Sequence, residues 1–260
     1  MMCGMTGILF NPQLRARSEL TMLGRIFTRL LELNELRGRD ASGVALIRHD
    51  GDSRLFKRTI RAQELTIRPE YRAILQRMDK QTALLMGHAR WATVGSRSCQ
   101  KNAQPLKTRC FVTCNGTIYN ADELFDKYNL PRHAETDSEL IARLADRYAP
   151  DGKIYAKGFV RTLRECCGQL SAVVVSPADP QTVIILKGNK PLNFSYHPEL
   201  EVVIYTSDAR HLDLVLYNET GWIPLKFPAM HYAAIDICML PEFEVKPFNF
   251  IRQSGDKKNE

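Results

Sequence analysis

Four strand candidates follow one another in the second half of the chain with little helix between them, and this run constrains the fold more than any other feature. They are the apolar stretches 170–175, 182–186, 201–206 and 231–237, and the helix candidates beside them are 155–165 and 209–217. Strands and helices that come in runs, without strict βαβ alternation, favour antiparallel sheets. We therefore expect a layered α+β fold.

The first half supplies the other helices and strands of this expected fold. Apolar side chains at helical spacing predict a helix that Ser18 caps and that runs to about Leu36, with Gly38 placed as its C-terminal cap. Residues 50–53 have the composition of a hairpin turn. The remaining expected elements are a helical stretch at 62–78, a long polar segment at 88–105, and strands at 7–10, 44–48, 54–59, 83–88 and 109–114, the last ending in Asn115-Gly116.

Two short polar residues, each followed three positions later by glutamate, predict capping boxes. Asn120 with Glu123 is expected to begin one short helix, and Thr136 with Glu139 is expected to begin another. The second box places Asp137 in the first helical turn, where the helix dipole favours a carboxylate.

Composition limits the class of protein. The 260 residues are 44% hydrophobic and 25% charged, which is typical of a globular protein with a core of normal size. No apolar run is long enough for a membrane span and no secretory signal is evident, so we expect no membrane partner and a cytoplasmic location. We expect one domain over residues 1–250 and a disordered polar tail over 251–260.

Seven cysteines and a net charge of +7 add two further expectations. The cysteine count is odd, no CxxC pair is present, and no nearby histidine completes a zinc set, so we expect free thiols, no metal site and no cofactor. The basic residues are spread along the chain and are not gathered with aromatics into one stripe. A nucleic-acid-binding protein is therefore a weaker alternative, which a salt-dependent gel shift tests.

Cys3 lies close to the beginning of the chain, and its chemistry depends on processing. As the first residue of a mature chain it would carry both a thiol nucleophile and an α-amine base of similar pKa. Met1 and Met2 precede it, so removal of one methionine leaves its nitrogen blocked. We expect Met2 to be the true start and its removal to expose Cys3. The alternative is that Cys3 serves only as a small apolar residue at the entry to the first strand.

Four separated groups of residues carry a family resemblance. They are Met2-Cys3-Gly4 with Gly7-Ile8, residues 37–43 (RGRDASG), residues 87–95 (GHARWATVG) with 102–105 (NAQP), and Asn115-Gly116 with 135–139 (ETDSE). In this order and spacing they resemble the class II glutamine amidotransferases, which are glutaminase domains of the N-terminal nucleophile hydrolases. The most similar branch is the glutaminase half of glucosamine-fructose-phosphate aminotransferase, and some pieces are also similar to the amidophosphoribosyltransferase branch.

The resemblance covers roughly residues 2–215 and implies a four-layer αββα sandwich, with two antiparallel sheets between helical layers. The implied reaction is hydrolysis of L-glutamine to glutamate and ammonia. The resemblance makes Cys3 the nucleophile and its freed α-amine the general base. It also makes the Asn115 side-chain amide and the Gly116 N–H the oxyanion hole, where losing one donor typically lowers the rate by roughly 10²–10³-fold.

The substrate-binding residues implied by the resemblance are Arg90, Trp91, Thr93 and Asp137. Arg90 matches the residue that holds the glutamine α-carboxylate, and Asp137 matches the one that holds the α-ammonium. Trp91 and Thr93 match wall and anchor positions around the nucleophile. A zwitterionic amino acid needs one fixed cation and one fixed anion, and arginine offers a bidentate fork to the carboxylate.

Two positions depart from the aminotransferase branch, which usually has tyrosine at the place of Arg39 and histidine at the place of Val94. Both departures concern the acceptor branch more than glutamine hydrolysis. About 45 residues follow position 215, too few for a synthase domain, so we expect ammonia to be supplied to a separate acceptor protein. The alternatives are a related hydrolase of another amide, and an inert glutamine-binding module that retains Met2.

Overall fold

The computed structural model describes residues 2–250; Met1 and the predicted tail at 251–260 lie outside the described residues. The strands are β1 (Gly4–Phe10), β2 (Ala41–Arg48), β3 (Ser53–Arg58), β4 (Thr82–Arg90), β5 (Leu106–Lys107), β6 (Phe111–Ile118), β7 (Gly168–Ser176), β8 (Asp179–Lys187), β9 (Asn193–His197), β10 (Val202–Thr206), β11 (Ile223–Leu225), β12 (His231–Asp236) and β13 (Lys246–Pro247). The helices are α1 (Arg17–Leu33), α2 (Ala62–Thr66), α3 (Pro69–Gln76), α4 (Ala121–Lys127), α5 (Glu139–Arg147), α6 (Ala156–Leu163) and α7 (Ala209–Leu216), with 3-10 turns at Asn34–Leu36, Gln100–Asn102 and Ile237–Met239.

These strands form two sheets in which every pairing is antiparallel. The first sheet has the order β11-β9-β10-β1-β4-β2-β3, and the second has the order β13-β12-β8-β7-β6-β5. Strand β1 therefore lies at the centre of the first sheet, between β10 and β4. Cys3 directly precedes Gly4, the first residue of this central strand.

Alternating side chains of β1 show how the sheets are layered. Met5 and Leu9 point into the core between the two sheets, whereas Ile8 and Phe10 point into a second core beneath helices α1, α2, α3 and α7. A third core lies between the second sheet and helices α4, α5 and α6, with Phe159 at its centre. The predicted α+β class and its αββα layers are thus confirmed.

Strand β6 is longer than predicted. The sequence suggested that it ends in a turn at Asn115-Gly116, but the strand continues to Ile118 and pairs with β7 throughout. The prediction was wrong because Asn-Gly is a turn signal only where no neighbouring strand offers a pairing partner. Four short or irregular strands, β5, β9, β11 and β13, were also not predicted.

Two predicted caps of the first helix are wrong. Its N-cap is Ala16, whose N–H donates to the Glu19 carboxylate at 2.6 Å, so Ser18 lies inside the helix. Gly38 does not adopt a left-handed conformation. Glycine is needed here for close packing instead, because a Cβ at this position would overlap the backbone where Arg90 joins Trp91.

The two predicted capping boxes are also wrong in their side-chain bonds. Asn120 occupies the N-cap of α4, but its side chain accepts from Cys167 N at 2.8 Å and donates to Glu165 O at 3.0 Å. Helix α5 begins at Glu139, whose carboxylate accepts from the N–H groups of His133 and Ala134. Longer-range bonds have replaced the local ones in both places.

Candidate active site

Cys3 is buried at the entry to β1, and its side chain contacts the backbone of Trp91. The Trp91 N–H donates to the Cys3 sulfur at 3.4 Å, and the thiol lies 3.4 Å from the Trp91 carbonyl oxygen. The Cys3 carbonyl oxygen accepts from Arg37 Nε at 3.1 Å. The adjacent Gly4 leaves no room for a Cβ, because Asn34 occupies that space. Both the backbone and the side chain of Cys3 are therefore fixed.

Burial raises the pKa of the Cys3 thiol to about 11. The Trp91 N–H and the positive charges of Arg90 and Arg37 act in the opposite direction, and the negative charge of Asp137 adds to the rise. With Met2 in front of it, this thiol is protonated at neutral pH. A nucleophilic role for Cys3 therefore requires a base that removes the proton as the sulfur attacks.

Asn115 presents an unused hydrogen-bond donor inside the protein. Its side chain is 1% exposed on β6, and Nδ2 has no hydrogen-bond partner within residues 2–250. Leaving a buried donor unpaired typically costs about 1–3 kcal/mol. The neighbouring Gly116 must remain glycine, because a Cβ there would overlap the carbonyl group of Gln169 on β7. An unpaired amide of this kind is what a bound oxyanion would satisfy.

His88 joins the two sheets beside Asn115, and Gln104 bonds to the same strand; neither side chain was assigned a role from the sequence. The His88 Nε2–H donates to the Cys114 carbonyl oxygen at 3.0 Å, and Gln104 accepts from the Cys114 N–H at 2.7 Å. Both side chains are buried, and burial lowers the pKa of His88 to about 3, so the imidazole is neutral. The sequence feature that could have pointed to His88 is a polar side chain within the apolar run of β4.

Arg90 is 2% exposed at the end of β4 and organises the segment that follows it. Its guanidinium donates to the carbonyl oxygens of Val94 at 2.7 Å and Ser96 at 3.3 Å. Burial lowers its pKa, and the neighbouring Cys3, Asp40 and Asp137 act against this shift. The cation that the sequence predicted for the site is thus buried, but it is partly engaged by its own loop.

Asp137 is the buried anion of the site, with 3% exposure. Its Oδ2 accepts from the Ile118 N–H at 2.6 Å, and its Oδ1 accepts from the Thr136 hydroxyl at 3.2 Å. Burial raises the pKa of this carboxyl, and the hydrogen bonds oppose the rise. Because Asp137 and Arg90 both perturb the Cys3 thiol, a buried anion and a buried cation lie within electrostatic reach of the sulfur.

Trp91 and Thr93 continue from Arg90 along the same segment. The Arg97 guanidinium lies over the Trp91 ring, 5.6 Å from its centroid. Thr93 is exposed, and its hydroxyl accepts from the Thr117 hydroxyl of β6 at 3.3 Å. The structure therefore brings Trp91 against the nucleophile candidate and Thr93 against the strand that carries Asn115.

Comparisons with known proteins bear on the family of this chain. A family profile described as a glutamine amidotransferase domain matches residues 88–213, which include Asn115 and Asp137 but not Cys3. The chain is 30% identical over 196 residues to glutamine–fructose-6-phosphate aminotransferase of Staphylococcus epidermidis, covering 74% of this chain and 30% of that protein. Its fold is similar to that of glutamine phosphoribosylpyrophosphate amidotransferase from B. subtilis, with a TM-score of 0.67, 18% sequence identity, and coverage of 95% of this chain and 49% of that one. The chain belongs to the class II glutamine amidotransferases.

This amidotransferase domain spans less than half the length of the curated relatives that it matches. A second relative is 7-cyano-7-deazaguanine synthase of Saccharolobus solfataricus, which is 27% identical over 218 residues, or 82% of this chain and 44% of that protein. Both relatives are named as enzymes, and the matched region makes up only part of each.

Glu135 and Asn102 fasten the polar segment after Arg90, and the sequence did not assign them a role. The Glu135 carboxylate accepts from Ser96 N at 2.7 Å and from Asn102 Nδ2 at 2.8 Å, and Asn102 Oδ1 accepts from Glu135 N at 2.8 Å. The Asp40 carboxylate also accepts from the Ala92 N–H at 2.7 Å. The amidotransferase domain thus holds residues 92–102 from two sides.

The structure also bears on metal sites and on membrane-spanning helices. Within residues 2–250, no three side chains of histidine, cysteine, aspartate or glutamate are gathered as a metal site requires. The helices of the same range are all too short or too polar to cross a lipid bilayer.

Proposed function

We propose that this amidotransferase domain hydrolyses the side-chain amide of L-glutamine, with Cys3 as the nucleophile, and supplies the ammonia to a separate acceptor protein in the cytoplasm. The observation that carries the proposal is the buried, unpaired Nδ2 of Asn115, which is available to an oxyanion. Arg90 and Asp137 support glutamine as the substrate, since a free amino acid presents one carboxylate and one ammonium group.

The proposed reaction has two halves. The Cys3 sulfur attacks the side-chain carbonyl carbon of glutamine, and the carbonyl oxygen becomes an oxyanion that accepts from Asn115 Nδ2 and the Gly116 N–H. The carbon–nitrogen bond then breaks, and the thiol proton leaves with the nitrogen as ammonia. Water adds to the resulting thioester, the carbon–sulfur bond breaks, and glutamate and the free thiol are formed.

The base in this proposal is the α-amine of Cys3. An amide nitrogen that joins Cys3 to Met2 is not basic, so the amine exists only where Cys3 is the first residue of the mature chain. The raised pKa of the thiol, about 11, makes such a base necessary at neutral pH.

The test combines terminal sequencing with an assay of glutamate and ammonia. We expect the active protein to begin at Cys3, and we expect Cys3→Ala to abolish turnover while glutamine binding persists. A matched preparation engineered to retain Met2 is expected to bind glutamine without hydrolysing it. Full turnover in that preparation would refute the amine as base, and turnover in Cys3→Ala would refute the nucleophile.

One observation favours a second candidate function, an inert glutamine-binding module. In the chain as written, the Cys3 nitrogen is bonded to Met2. A natural preparation that retains Met2, binds glutamine in calorimetry and releases no ammonia would support this candidate. Hydrolysis of other amides but not of glutamine would instead favour a related hydrolase, although the buried Arg90 and Asp137 argue against that substrate choice.

The separate acceptor is tested with glutamine labelled with ¹⁵N in its amide. A synthase that co-purifies with this domain is added together with excess unlabelled ammonium. Retention of the label in the synthase product indicates direct transfer, whereas dilution of the label to the bulk ratio contradicts it. We also expect slow glutaminase turnover by the domain alone and faster turnover with the synthase.

A further inference from the structure

A basic groove lies between helix α6 and the β12–β13 edge of the second sheet, away from the candidate active site. Its volume is about 660 Å³, and we call it the α6 groove. Among residues 2–250, four cations and no carboxylate line it, and the cations are Lys157, Arg161, Arg164 and Lys246. None of these residues belongs to the proposed glutaminase machinery.

The spacing of residues in α6 explains why one side of the groove is cationic. Phe159 and Leu163 face the core, whereas Lys157, Arg161 and Arg164 recur at intervals of four and three residues and share the opposite, exposed face. With a rise of about 1.5 Å per residue, these three cations extend over roughly 10 Å of helix. They form a line of charge and do not converge on one point.

The charges of this face are largely unmatched by the protein itself. Within residues 2–250, Lys157 and Arg161 have no side-chain hydrogen bond or ion pair, and Arg164 donates only to the Pro247 carbonyl oxygen at 3.3 Å. Lys246 lies 2.9 Å from Glu244, but both side chains are more than half exposed, and ion pairs of this kind are weak.

Other cationic grooves on the chain contain their own counter-charges. In one of them, Arg77 is paired with Asp52 at 2.8 Å and Arg48 with Asp79 at 2.9 Å. In another, a glutamate of α5 is held by Arg143 at 2.7 Å. The α6 groove thus differs in that its charge remains available to a ligand.

We propose that the α6 groove binds a carboxylate-rich segment of another protein. A linear face of cations complements carboxylates that repeat along a segment, and arginine can bind each carboxylate in bidentate fashion. A single-stranded nucleic acid is less well matched, because Tyr232 is the only aromatic residue that lines the groove in the described part of the chain. It is only 9% exposed, which leaves little of its ring for base stacking. This inference does not depend on glutamine hydrolysis.

The test measures the fluorescence anisotropy of a labelled deca-glutamate peptide with the full chain at low salt. Lys157→Glu/Arg161→Glu reverses two exposed charges of α6. Arg68→Glu/Arg72→Glu is the matched control at α3, because that pair has the same spacing and is also exposed, and its side chains make no hydrogen bonds or ion pairs among the described residues. We expect the α6 pair to weaken binding by at least about ten-fold and the control pair by less than about two-fold.

Three outcomes would overturn the proposal. Equal weakening by both pairs indicates attraction to net charge alone. Tighter binding of oligothymidylate or inorganic polyphosphate through the same α6 residues indicates a phosphate ligand. A wild-type chain that does not bind the peptide at about 1 mM has no such site, since non-specific charge contacts alone reach that range. Circular dichroism and thermal unfolding verify that both double variants remain folded.

Discussion

His88 Nε2 lies 3.0 Å from the carbonyl oxygen of Cys114, and this hydrogen bond joins the two sheets one residue before Asn115. The imidazole is fully buried, and its Nδ1 has no partner within residues 2–250. Because a carbonyl only accepts, Nε2 carries the proton and Nδ1 does not. The strand with the proposed oxyanion donor is therefore fixed against the strand that leads to Trp91, whose backbone contacts the Cys3 sulfur.

This buried imidazole predicts a stability change between about pH 6.5 and pH 4. Burial lowers the pKa of His88 from 6.5 to about 3, so over this range the unfolded chain binds a proton that the folded chain does not. Unfolding therefore becomes easier as the pH falls, and this group contributes up to about 1.4 kcal/mol of lost stability per pH unit.

The measurement is urea unfolding at several pH values between 7 and 4. In His88→Gln, whose amide donates without titrating, we expect a smaller loss of unfolding free energy with falling pH. His133→Gln is the control, because His133 is exposed and its side chain makes no hydrogen bond among the described residues. Parallel curves for wild type and His88→Gln would show that the imidazole does not cause the acid sensitivity.

Replacing Asn115 by alanine is expected to lower the catalytic rate strongly while changing the stability of the fold little. In Asn115→Ala, the side chain that is lost makes no Nδ2 hydrogen bond to any of the described residues, so the loss of unfolding free energy is expected to be small. If its amide stabilises the oxyanion, kcat for glutamine should fall by roughly 10²–10³-fold while KM changes little.

Asn102→Ala provides the matched comparison. This asparagine is equally buried, but its side chain makes hydrogen bonds to Ser96 and Glu135. We expect it to lose more stability than Asn115→Ala, by about 1–2 kcal/mol, in chemical unfolding. If Asn115→Ala loses more unfolding free energy than Asn102→Ala, the unpaired Asn115 amide does not destabilise the folded wild-type protein.

Local patterns predicted the layers of this fold better than its caps. The helical period of α1 survives in the structure because it decides which face of the helix is buried, and Leu20, Leu23 and Phe27 lie in the core beneath the first sheet. The predicted caps failed because a polar side chain is free to choose a distant partner. Asn120 bonds to Cys167, 47 positions away, and no local rule contains that contact.

The candidate site also has features that the sequence predicted and features that it did not. Motif order predicted which residue types would meet, including Arg90 and Asp137, since their chemistry is recorded in the sequence. It did not predict that His88 bridges the sheets or that Glu135 holds the polar segment, because these depend on how the two sheets face each other. The sequence also gave no sign that the Arg90 guanidinium is partly occupied by Val94 and Ser96.

Asp137 is expected to recognise the α-ammonium group, and a paired deletion tests this. We compare glutamine with glutaric acid monoamide, which has the same side-chain amide but no α-amino group. Wild type should prefer glutamine strongly, because the analogue leaves the buried carboxylate without a cationic partner. In Asp137→Asn, kcat/KM for glutamine should fall by roughly 10²-fold or more and the preference should shrink towards unity.

Asparagine keeps an oxygen that can accept from the Ile118 N–H, so the fold is expected to persist in this variant. Thermal unfolding verifies that expectation. If Asp137→Asn loses activity equally towards both substrates, the carboxylate acts on the structure of the site and not on the ammonium group.

Glu135 is expected to control the order of the segment between Arg90 and Asn102. Glu135→Ala removes acceptors for both Ser96 N and Asn102 Nδ2, so the segment should open more often. We expect trypsin to cut after Arg97 several-fold faster and KM for glutamine to rise several-fold, with kcat changed less, because the segment shapes the substrate site more than the reacting atoms. Glu123→Ala is the control, since that exposed carboxylate makes no hydrogen bond among the described residues. Faster cleavage without any change in KM would show that the segment is held by Glu135 but takes no part in binding glutamine.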